Sequence, residues 1–439
     1  MGGYIPSSSE EQQAMLSSMG LSSFGELYRD VPEELRVRSL NLPAGKSEFE
    51  LREALTAMAG KNHVFSSIFR GAGAYHHYIP AIVKSVTAKE EFLTAYTPYQ
   101  AEISQGLLQS IFEYQTMICE LTGMDVSNAS VYDGASAAAE AVAMCRERKR
   151  TKALVASTAH PMVIETIKTY CRGAGTEVEV IGQRNGRLDL EALSSHLDAG
   201  SACVYIQQPN FYGQLEDAEA VGLLAHQAGA KYVMGVNPIS LAVLKSPKSC
   251  GADIAVGEGQ PLGLPLSFGG PYLGFMACPS AMMRRLPGRI VGETADSGGR
   301  RAFVLTLQAR EQHIRREKAS SNICSNQALC ALTAAVYLSA MGPKGLAKAA
   351  AQCYSKAHYA AAQLAAIPGI ALPHPGEFFH EFVTELPIPA DVLLRRLEAQ
   401  DILGGYPIHD RALLWCVTEV NTKAQIDAMV NLVKEVCMA

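Results

Sequence analysis

Lysine is missing between Lys248 and Lys318, and this absence excludes amine chemistry from the whole stretch. Within it, residues 251–274 open with an apolar, strand-like segment, and the last eighteen of them include six glycines and three prolines. That composition disfavours helix and sheet and lets the backbone approach another group closely. A loop of this kind after a strand often lines a site. We therefore expect a site-like loop that carries no lysine.

Paired cysteines are also missing. Eleven cysteines are scattered singly, and none forms a CxxC pair. This spacing disfavours a zinc site and a dithiol redox centre, so we expect no metal and mostly buried, reduced thiols. The N-terminal residues show neither a basic segment nor an apolar core typical of a secretory signal. These features predict a cytoplasmic protein.

Charge and hydropathy exclude two further classes. The net charge is -5 and charged residues make up 18% of the chain, which gives no reason to expect a nucleic-acid partner. No run supplies the roughly twenty consecutive apolar residues that a membrane-spanning helix needs. The two longest charge-free runs, residues 259–283 and 319–343, are interrupted by Gly and Pro or by Ser, Asn and Gln. We expect a soluble protein without membrane contact.

The pattern along the chain predicts three domains. Residues 1–67 read as an N-terminal helical arm, with capping-box spacing at Ser8 and Ser47. Residues 68–343 contain alternating strands and helices, typical of a large α/β domain with a mostly parallel sheet. Residues 344–439 predict a small C-terminal α+β domain. Within the large domain, residues 292–299 are expected to form a mobile loop.

Three segments carry candidate site residues. Tyr96, Tyr99 and Gln100 lie on a turn stiffened by Pro98, where their polar groups could face a ligand or could simply bond the backbone. Residues 133–136 read as a helix N-terminus suited to an anion. However, Asp133 stands at the capping position, where its carboxylate would compete with a phosphate. Eight arginines between residues 281 and 316 predict a surface of ion pairs.

Several motifs resemble those of the glycine decarboxylase P-protein family, in its N-terminal half, which in many bacteria is a separate chain called subunit 1. The resemblance covers nearly the whole chain. The motifs are Tyr96-Thr-Pro-Tyr-Gln with Phe112-Glu-Tyr-Gln, Tyr132-Asp-Gly-Ala-Ser, Phe268-Gly-Gly-Pro, Leu286-Pro-Gly-Arg-Ile-Val-Gly, and Arg316-Glu-Lys-Ala-Ser-Ser-Asn-Ile-Cys-Ser-Asn-Gln-Ala-Leu.

The resemblance implies the type I fold of pyridoxal-phosphate (PLP) enzymes and a role in the glycine cleavage system. In that system glycine is decarboxylated with PLP as electron sink. The aminomethyl group then passes to the lipoyl arm of the H-protein. The fold implies four groups around the cofactor: a lysine, a carboxylate at the pyridine nitrogen, a stacking ring and a phosphate cup.

The chain departs from that set. Where the resemblance places the lysine, the sequence reads Glu258-Gly-Gln-Pro, and the strand that should end in an acid runs into Asn237. His160 is the remaining candidate for the stacking ring, although a His-Pro pair also suits a helix cap. The family implies that the lysine and PLP belong to a partner chain, subunit 2, in an α2β2 assembly.

Two groups of residues are candidates for contributing to the partner's site across the interface. Tyr96, Tyr99 and Gln100 would supply catalytic contacts. Ser320, Ser321 and Asn322 would bind the partner's PLP, because their polar side chains are predicted at a helix start.

Two alternatives stay open at the level of sequence. A stand-alone PLP transferase or lyase would use Lys245 or Lys248, although both precede the expected strand rather than follow it. The other alternative is a scaffold that stabilises its partner and takes no part in catalysis.

Overall fold

The computed structural model describes residues 6–37, 39–93 and 96–438, and the chain divides into two compact units between Val64 and Phe65. The sixteen strands are β1 (Ser67–Ile68), β2 (Val126–Ser127), β3 (Lys152–Ala156), β4 (Glu177–Ile181), β5 (Gln183–Arg184), β6 (Arg187–Leu188), β7 (Ser201–Gln208), β8 (Lys231–Val236), β9 (Ile254–Glu258), β10 (Gly274–Cys278), β11 (Ile290–Ala295), β12 (Arg301–Thr306), β13 (Glu381–Glu385), β14 (Ile402–Leu403), β15 (Tyr406–His409) and β16 (Ala412–Cys416).

The α-helices of the described residues are α1 (Ser9–Ser18), α2 (Glu48–Ala59), α3 (Ala81–Thr87), α4 (Glu90–Leu93), α5 (Gln105–Thr122), α6 (Gly134–Cys145), α7 (Pro161–Ala174), α8 (Leu190–His196), α9 (Ala218–Gln227), α10 (Gln312–Arg315), α11 (Ala328–Ala365), α12 (Ala390–Glu398) and α13 (Lys423–Met438). Short 3₁₀ turns join several of them.

The first unit contains α1 and α2, and both begin with the capping boxes that the sequence predicted. Ser8 accepts from the Glu11 amide and Ser47 from the Glu50 amide, while each glutamate carboxylate accepts from its cap residue's backbone N–H. Of this unit's described residues only Leu16 is buried, and large apolar side chains such as Phe49 and Leu55 are exposed. The unit therefore has almost no core of its own.

The second unit is built on a seven-stranded sheet in the order β2-β10-β9-β8-β7-β3-β4. The strands from β9 to β4 are parallel, whereas β10 is antiparallel to both β9 and β2. Strand β7 is apolar through Ala202–Ile206 and almost wholly buried, as expected for a strand covered on both faces. The predicted parallel sheet is confirmed, and its carboxyl edge is where a site is expected.

Helices cover both faces of this sheet. The short side chains of α6 allow close packing, and nine of its twelve residues are buried together with α7 and β3. On the other face, α5, α9 and α11 pack over Tyr232 and Met234 of β8. Tight burial of α6 fixes the position of its N-terminus at the edge of the sheet.

Helix α11 is long and apolar enough to cross a membrane by length and composition alone. It is bent at Gly342, whose φ is 60° and ψ is 176°, just before Pro343. Residues along both halves, including Tyr337 and Cys353, are fully buried in the cores of the second unit. Core helices pass the same length and composition test, so α11 is weak support for a membrane span.

The C-terminal part contains the antiparallel sheet β13-β16-β15, with α12 and α13 packed beside it around the buried Trp415. The Trp415 indole N–H donates to the Thr384 hydroxyl at 2.8 Å. This is the α+β arrangement that the sequence indicated. The predicted domain boundary at residue 343 lies beside the bend in α11, and the three-domain division stays a prediction.

The loop predicted at residues 292–299 is confined to residues 296–299, and the prediction is wrong for residues 292–295, which belong to β11. Strands β11 and β12 pair in register from Ile290 with Thr306 to Ala295 with Arg301, and they form an antiparallel hairpin. Its turn is closed by Asp296, whose carboxylate accepts from the Gly298 and Arg300 amides. Glycines at the turn had suggested mobility, whereas pairing with a later segment orders it.

Two buried carboxylates fasten the segment after β1 to the C-terminal sheet. Glu381 accepts from the Ala72 N–H at 2.7 Å and from the Tyr75 hydroxyl at 2.8 Å. Glu419 accepts from His77 Nδ1 and the Tyr78 N–H, both at 2.7 Å. Burial raises the pKa of Glu381 to about 7, against which its two hydrogen bonds act only in part.

The pKa of Glu381 predicts a pH-dependent stability. A carboxyl that titrates near 4.5 when unfolded and near 7 when folded holds its proton better in the native state, so its stabilising effect is present below pH 4.5 and is lost as the pH rises to 7. We expect the free energy of unfolding of the wild type, relative to Glu381→Gln, to fall by up to about 3 kcal/mol across this window.

Urea unfolding at several pH values measures this difference. Glu120→Gln is the control, because Glu120 is exposed on α5 and makes no ion pair within the described residues. A stability difference for Glu381→Gln that stays constant from pH 4.5 to pH 8 would contradict the assignment.

Candidate functional site

The carboxyl edge of the sheet opens into a cavity of about 640 Å³. Its floor includes Gln207 from β7, Asn237 after β8 and Glu258 at the end of β9. The N-terminal ends of α6 and α7 form one wall, and the backbone of residues 72–75 and 269–272 forms the rim. The site-like loop after β9 therefore does line a cavity, as the sequence predicted.

The N-terminus of α6 is occupied by carboxylates of the chain itself. Asp133 caps the helix and accepts from the Ser136 N–H at 2.7 Å, as predicted. Glu258 accepts from the Gly134 N–H at 2.9 Å through one oxygen and from the Gln260 and Leu273 N–H groups, also at 2.9 Å, through the other. A helix N-terminus favours negative charge, and here two acidic side chains supply it.

The close approach of Glu258 depends on a glycine. A Cβ at Gly134 would lie 2.8 Å from the Glu258 backbone nitrogen and 2.9 Å from its Cβ, which is too close for any side chain. Burial raises the pKa of Glu258, and the three backbone N–H groups act in the opposite direction. The Glu258 carboxylate is thus a fixed part of the site at the N-terminus of α6, packed between this helix and the loop after β9.

His160 is held at both ring nitrogens. Nδ1 accepts from the Met162 N–H at 3.1 Å, so the ring caps α7, and Nε2 lies 2.9 Å from the Ala72 carbonyl oxygen. Burial lowers the pKa of His160, which fits a neutral ring that accepts at Nδ1 and donates at Nε2. Of the two alternatives at the level of sequence, the cap is the one observed, with the ring also lining the cavity.

The segment expected to hold a lysine, Glu258-Gly-Gln-Pro, contains a fully engaged amide. Gln260 accepts from the Tyr75 N–H and donates to the Tyr75 carbonyl, each at 2.9 Å, and donates to the Leu264 carbonyl at 2.8 Å. At the neighbouring strand end, Asn237 accepts from the Ile239 N–H at 2.9 Å. These amides bond the backbone and offer neither an amine nor a carboxylate.

The residues of this cavity do not fit PLP. The cofactor needs a lysine, an acid beside its ring nitrogen and a free anion cup, whereas no lysine is among the described lining residues. Asn237 follows the strand for which the resemblance implied an acid, and a phosphate at the α6 N-terminus would meet the carboxylates of Asp133 and Glu258. No reaction step is therefore assigned to this cavity.

The two lysines considered for a stand-alone enzyme lie elsewhere. Lys245 forms an ion pair with Glu219, and Lys248 donates to Asp125 at 2.8 Å. Their side chains are 69% and 54% exposed, and neither lines the cavity. The hydrogen bond that Lys245 donates to Glu219 raises the pKa of Lys245, which is the opposite of what a nucleophilic amine needs.

A second, smaller cavity of about 210 Å³ lies beside the first group of predicted site residues. It is lined by Tyr96 and Pro98 together with Arg289 and Asn326. Tyr96 is 87% exposed and Tyr99 is 48% exposed, while Gln100 is exposed at the start of a short 3₁₀ turn. The Tyr99 hydroxyl accepts from Arg289 at 3.3 Å, so a side chain rather than the backbone engages it.

The second group of predicted residues is placed differently. Ser321 donates to Glu140 at 3.0 Å and accepts from the Ile323 N–H at 3.1 Å, while Ser320 and Asn322 are exposed. The predicted helix start at these residues is wrong, because α11 begins only at Ala328. No hydrogen bond within the described part of the chain joins this group to Tyr96, Tyr99 or Gln100.

Two residues that lie beside Tyr96 and Tyr99 were not predicted as site residues from the sequence. Arg289 and Asn326 both stand inside motifs that carried the family resemblance, yet neither was expected in a site. An arginine directly after a Pro-Gly turn and before the apolar Ile290-Val291 pair was the available signal, since a buried neighbourhood is unusual for a charge.

Metal-ligating side chains come together at one place among the described residues. Donor atoms of His77, Cys353 and Glu419 lie within 4.8 Å of one another. They already bond each other, because Glu419 accepts from His77 at 2.7 Å and from the Cys353 thiol at 3.2 Å. Eight of the eleven cysteines are buried, which confirms the expectation that most of the thiols are buried.

Comparison with known proteins places this geometry in a family. The profile of the family described as "Glycine cleavage system P-protein" matches residues 2–433. A protein of Desulforamulus reducens, named "Probable glycine dehydrogenase (decarboxylating) subunit 1", is 52% identical over 436 residues, which are 97% of this chain and 98% of that protein. A protein of Moorella thermoacetica with the same name is 52% identical over 435 residues, or 97% of this chain and 98% of its own length.

Solved structures give the same result. A crystal structure of "glycine decarboxylase (P-protein) of the glycine cleavage system, in inhibitor-bound form" superposes with a TM-score of 0.94 at 42% identity, covering 99% of this chain and 100% of that one. The sphingosine-1-phosphate lyase of Burkholderia pseudomallei, at 13% identity and a TM-score of 0.67, covers 92% of this chain and 93% of its own, and it shares the fold alone. The predicted type I PLP-enzyme fold is confirmed, and the chain belongs to the glycine cleavage system P-protein family.

Proposed function

We propose that this chain is the subunit of a two-chain glycine decarboxylase, glycine dehydrogenase (decarboxylating), that does not anchor PLP. The observation that carries the proposal is that Asp133 and Glu258 occupy the N-terminus of α6, where a phosphate would bind. Gln260 lies in the segment where a lysine was expected, and its amide bonds the backbone. The names of the relatives support the same reading, since they describe a subunit 1. A second chain, subunit 2, would then supply the lysine and hold PLP, in an α2β2 assembly.

The reaction of that complex removes the carboxylate of glycine as CO₂ and transfers the aminomethyl group to the lipoyl arm of the H-protein. PLP, when bound by the partner, supplies the electron sink for this chemistry. Eleven unpaired thiols are in keeping with work in the reducing cytoplasm. The remaining question is what the residues of this chain contribute.

Tyr96, Tyr99 and Gln100 would orient glycine or the partner's cofactor across the interface. Their exposure supports this role, because polar groups at an open face can be covered by another chain without breaking internal bonds. The Arg289 contact holds the Tyr99 ring in one place, which suits a positioning group. Ser320 and Asn322 offer exposed polar groups for the partner's PLP, and Ser321 would fix their backbone through Glu140.

The first alternative is a scaffold: the chain would still form the complex with subunit 2, but these side chains would take no part in the reaction. The alternative of a stand-alone PLP enzyme needs Lys245 or Lys248, and both are ion-paired at the surface away from the cavity. The three predictions below separate these readings.

The first prediction concerns the cross-interface residues. In the complex reconstituted with subunit 2, we expect Tyr99→Phe or Ser321→Ala to lower turnover or PLP affinity about three- to tenfold, the effect of one lost hydrogen bond. Glycine–bicarbonate exchange and PLP titration measure this. Tyr354→Phe and Ser355→Ala are matched controls, because each makes the same substitution at a position on α11. Unchanged turnover and PLP affinity in both test variants would favour the scaffold.

The second prediction concerns the chain alone. Mixed with PLP, the purified chain should show no visible absorption of lysine-bound cofactor, since no described lysine lines the cavity. Borohydride reduction followed by peptide mapping checks this, with the Lys245→Arg/Lys248→Arg double variant as control. A stoichiometric band that disappears on reduction and maps to either lysine would establish a stand-alone PLP site.

The third prediction concerns the H-protein. Exposed arginines of the 281–316 region, such as Arg300 and Arg301, pair with acids on the hairpin and would dock an acidic lipoyl carrier. We expect the rate with H-protein to fall as salt is raised from low to physiological ionic strength, because exposed charges are screened. Free lipoamide, an uncharged acceptor, is the control. Equal salt dependence with both acceptors would rule out electrostatic docking.

A further inference from the structure

Arg289 is a buried cation without an anion. Its side chain belongs to a residue that is only 6% exposed, and no carboxylate forms an ion pair with it within the described residues. Its two terminal nitrogens donate to the Tyr99 hydroxyl at 3.3 Å and to the Asn326 side-chain oxygen at 3.4 Å, both long contacts to neutral groups. Its Nε is buried and has no hydrogen-bond partner among the residues that the structure describes.

This arrangement leaves the positive charge of Arg289 without an opposite charge among the described residues. A buried charge is normally paired, because the loss of hydration must be offset by an opposite charge. The Tyr99 ring, whose centroid lies 5.4 Å from the Arg289 Cζ, offsets part of this loss. Arg310 is the instructive neighbour, since its Nε also has no partner among the described residues but its terminal nitrogens donate to the Leu286 and Gly288 carbonyls. Arg310 fastens the chain, whereas the terminal nitrogens of Arg289 make only long contacts to neutral side chains.

The cavity beside Arg289 has room for a small group. Its volume of about 210 Å³ is much more than a single water molecule needs. Its lining includes the polar Asn326 and Ser325 and the apolar Ile111 and Leu332. An apolar wall strengthens the attraction between opposite charges, since it lowers the local dielectric.

We propose that Arg289 and this cavity bind a small oxyanion, a carboxylate or a phosphate, at the interface with subunit 2. A guanidinium matches the geometry of either group with two parallel hydrogen bonds. The inference rests on the proposed function, because the tyrosines that share this face are the ones placed at the partner's site. The two sources of the oxyanion are then the carboxylate of glycine and the phosphate of PLP.

The two sources make different demands. A carboxylate that leaves as CO₂ loses its charge in the transition state, so a strong ion pair with Arg289 would stabilise bound glycine more than the transition state. A phosphate keeps its charge throughout, and its binding has no such cost. Separate measurements of glycine and PLP affinity therefore identify which group Arg289 holds.

The experiment uses the complex reconstituted with subunit 2 and compares Arg289→Gln with Arg148→Gln, a control that removes an exposed arginine outside the 281–316 region. We expect Arg289→Gln to weaken one affinity about ten- to hundredfold, as for a lost charged hydrogen bond. A higher KM for glycine with unchanged PLP affinity identifies the carboxylate, and weaker PLP binding with unchanged KM identifies the phosphate.

Arg289→Lys keeps the positive charge but loses the paired donors of the planar guanidinium, so it should recover only part of the lost affinity. Arg289→Lys is also the test variant to use if Arg289→Gln lowers the melting temperature of the isolated chain. If Arg289→Lys and every folded Arg289→Gln preparation bind glycine and PLP within twofold of the wild type, the oxyanion site does not exist. A chain that forms no complex with subunit 2 would instead refute the proposed function, so the two failures are distinguishable.

Discussion

The hydrogen bonds between the N-terminus of α6 and the chain's own carboxylates determine how the second unit can be used. Unpaired N–H groups at a helix N-terminus attract an anion, and in this fold they face the carboxyl edge of the parallel sheet. Asp133 and Glu258 satisfy them from within. Because Glu258 also bonds Gln260 and Leu273, the same carboxylate fixes the loop after β9 against the helix. The cavity remains, but its anion cup is filled.

The polar groups around that cavity are engaged in a similar way. Gln260 bonds the backbone of Tyr75, and His160 bonds Met162 and Ala72. Both contacts hold the segment after β1 over the cavity, and Glu381 and Glu419 fasten the same segment to the C-terminal sheet. The chain thus keeps the family fold, and the polar side chains around the cavity are engaged in hydrogen bonds that hold the surrounding segments together.

The opposite condition prevails around Arg289. There the contacts are long, Nε has no partner among the described residues, and Tyr96 and Tyr99 are exposed. A polar site that is fully satisfied has nothing to offer a ligand, whereas a buried charge with spare donors does. This contrast is the reason why we propose the oxyanion site at Arg289 and not in the larger cavity.

Local sequence signals determined much of the fold. Capping residues located the starts of α1, α2 and α6 at Ser8, Ser47 and Asp133, and apolar runs located β7 and β8, because these signals act between residues that are close in the chain. The missing lysine after β9 and the amide at Asn237 were likewise legible from the sequence, with the family resemblance supplying what they replace.

Contacts between distant residues were decided only by the tertiary structure. Residues 292–295 are strand because β11 pairs with β12, and the Gln327 N–H just before α11 donates to the Ser130 hydroxyl, which is distant in the chain. Glu258 was visible as a missing lysine's neighbour but not as the group that fills the α6 cup. Arg289 was visible only as part of a motif. Its burial beside Tyr99 and Asn326 depends on chain segments about 190 and 37 residues away, and no local pattern encodes a charge's desolvation at that range.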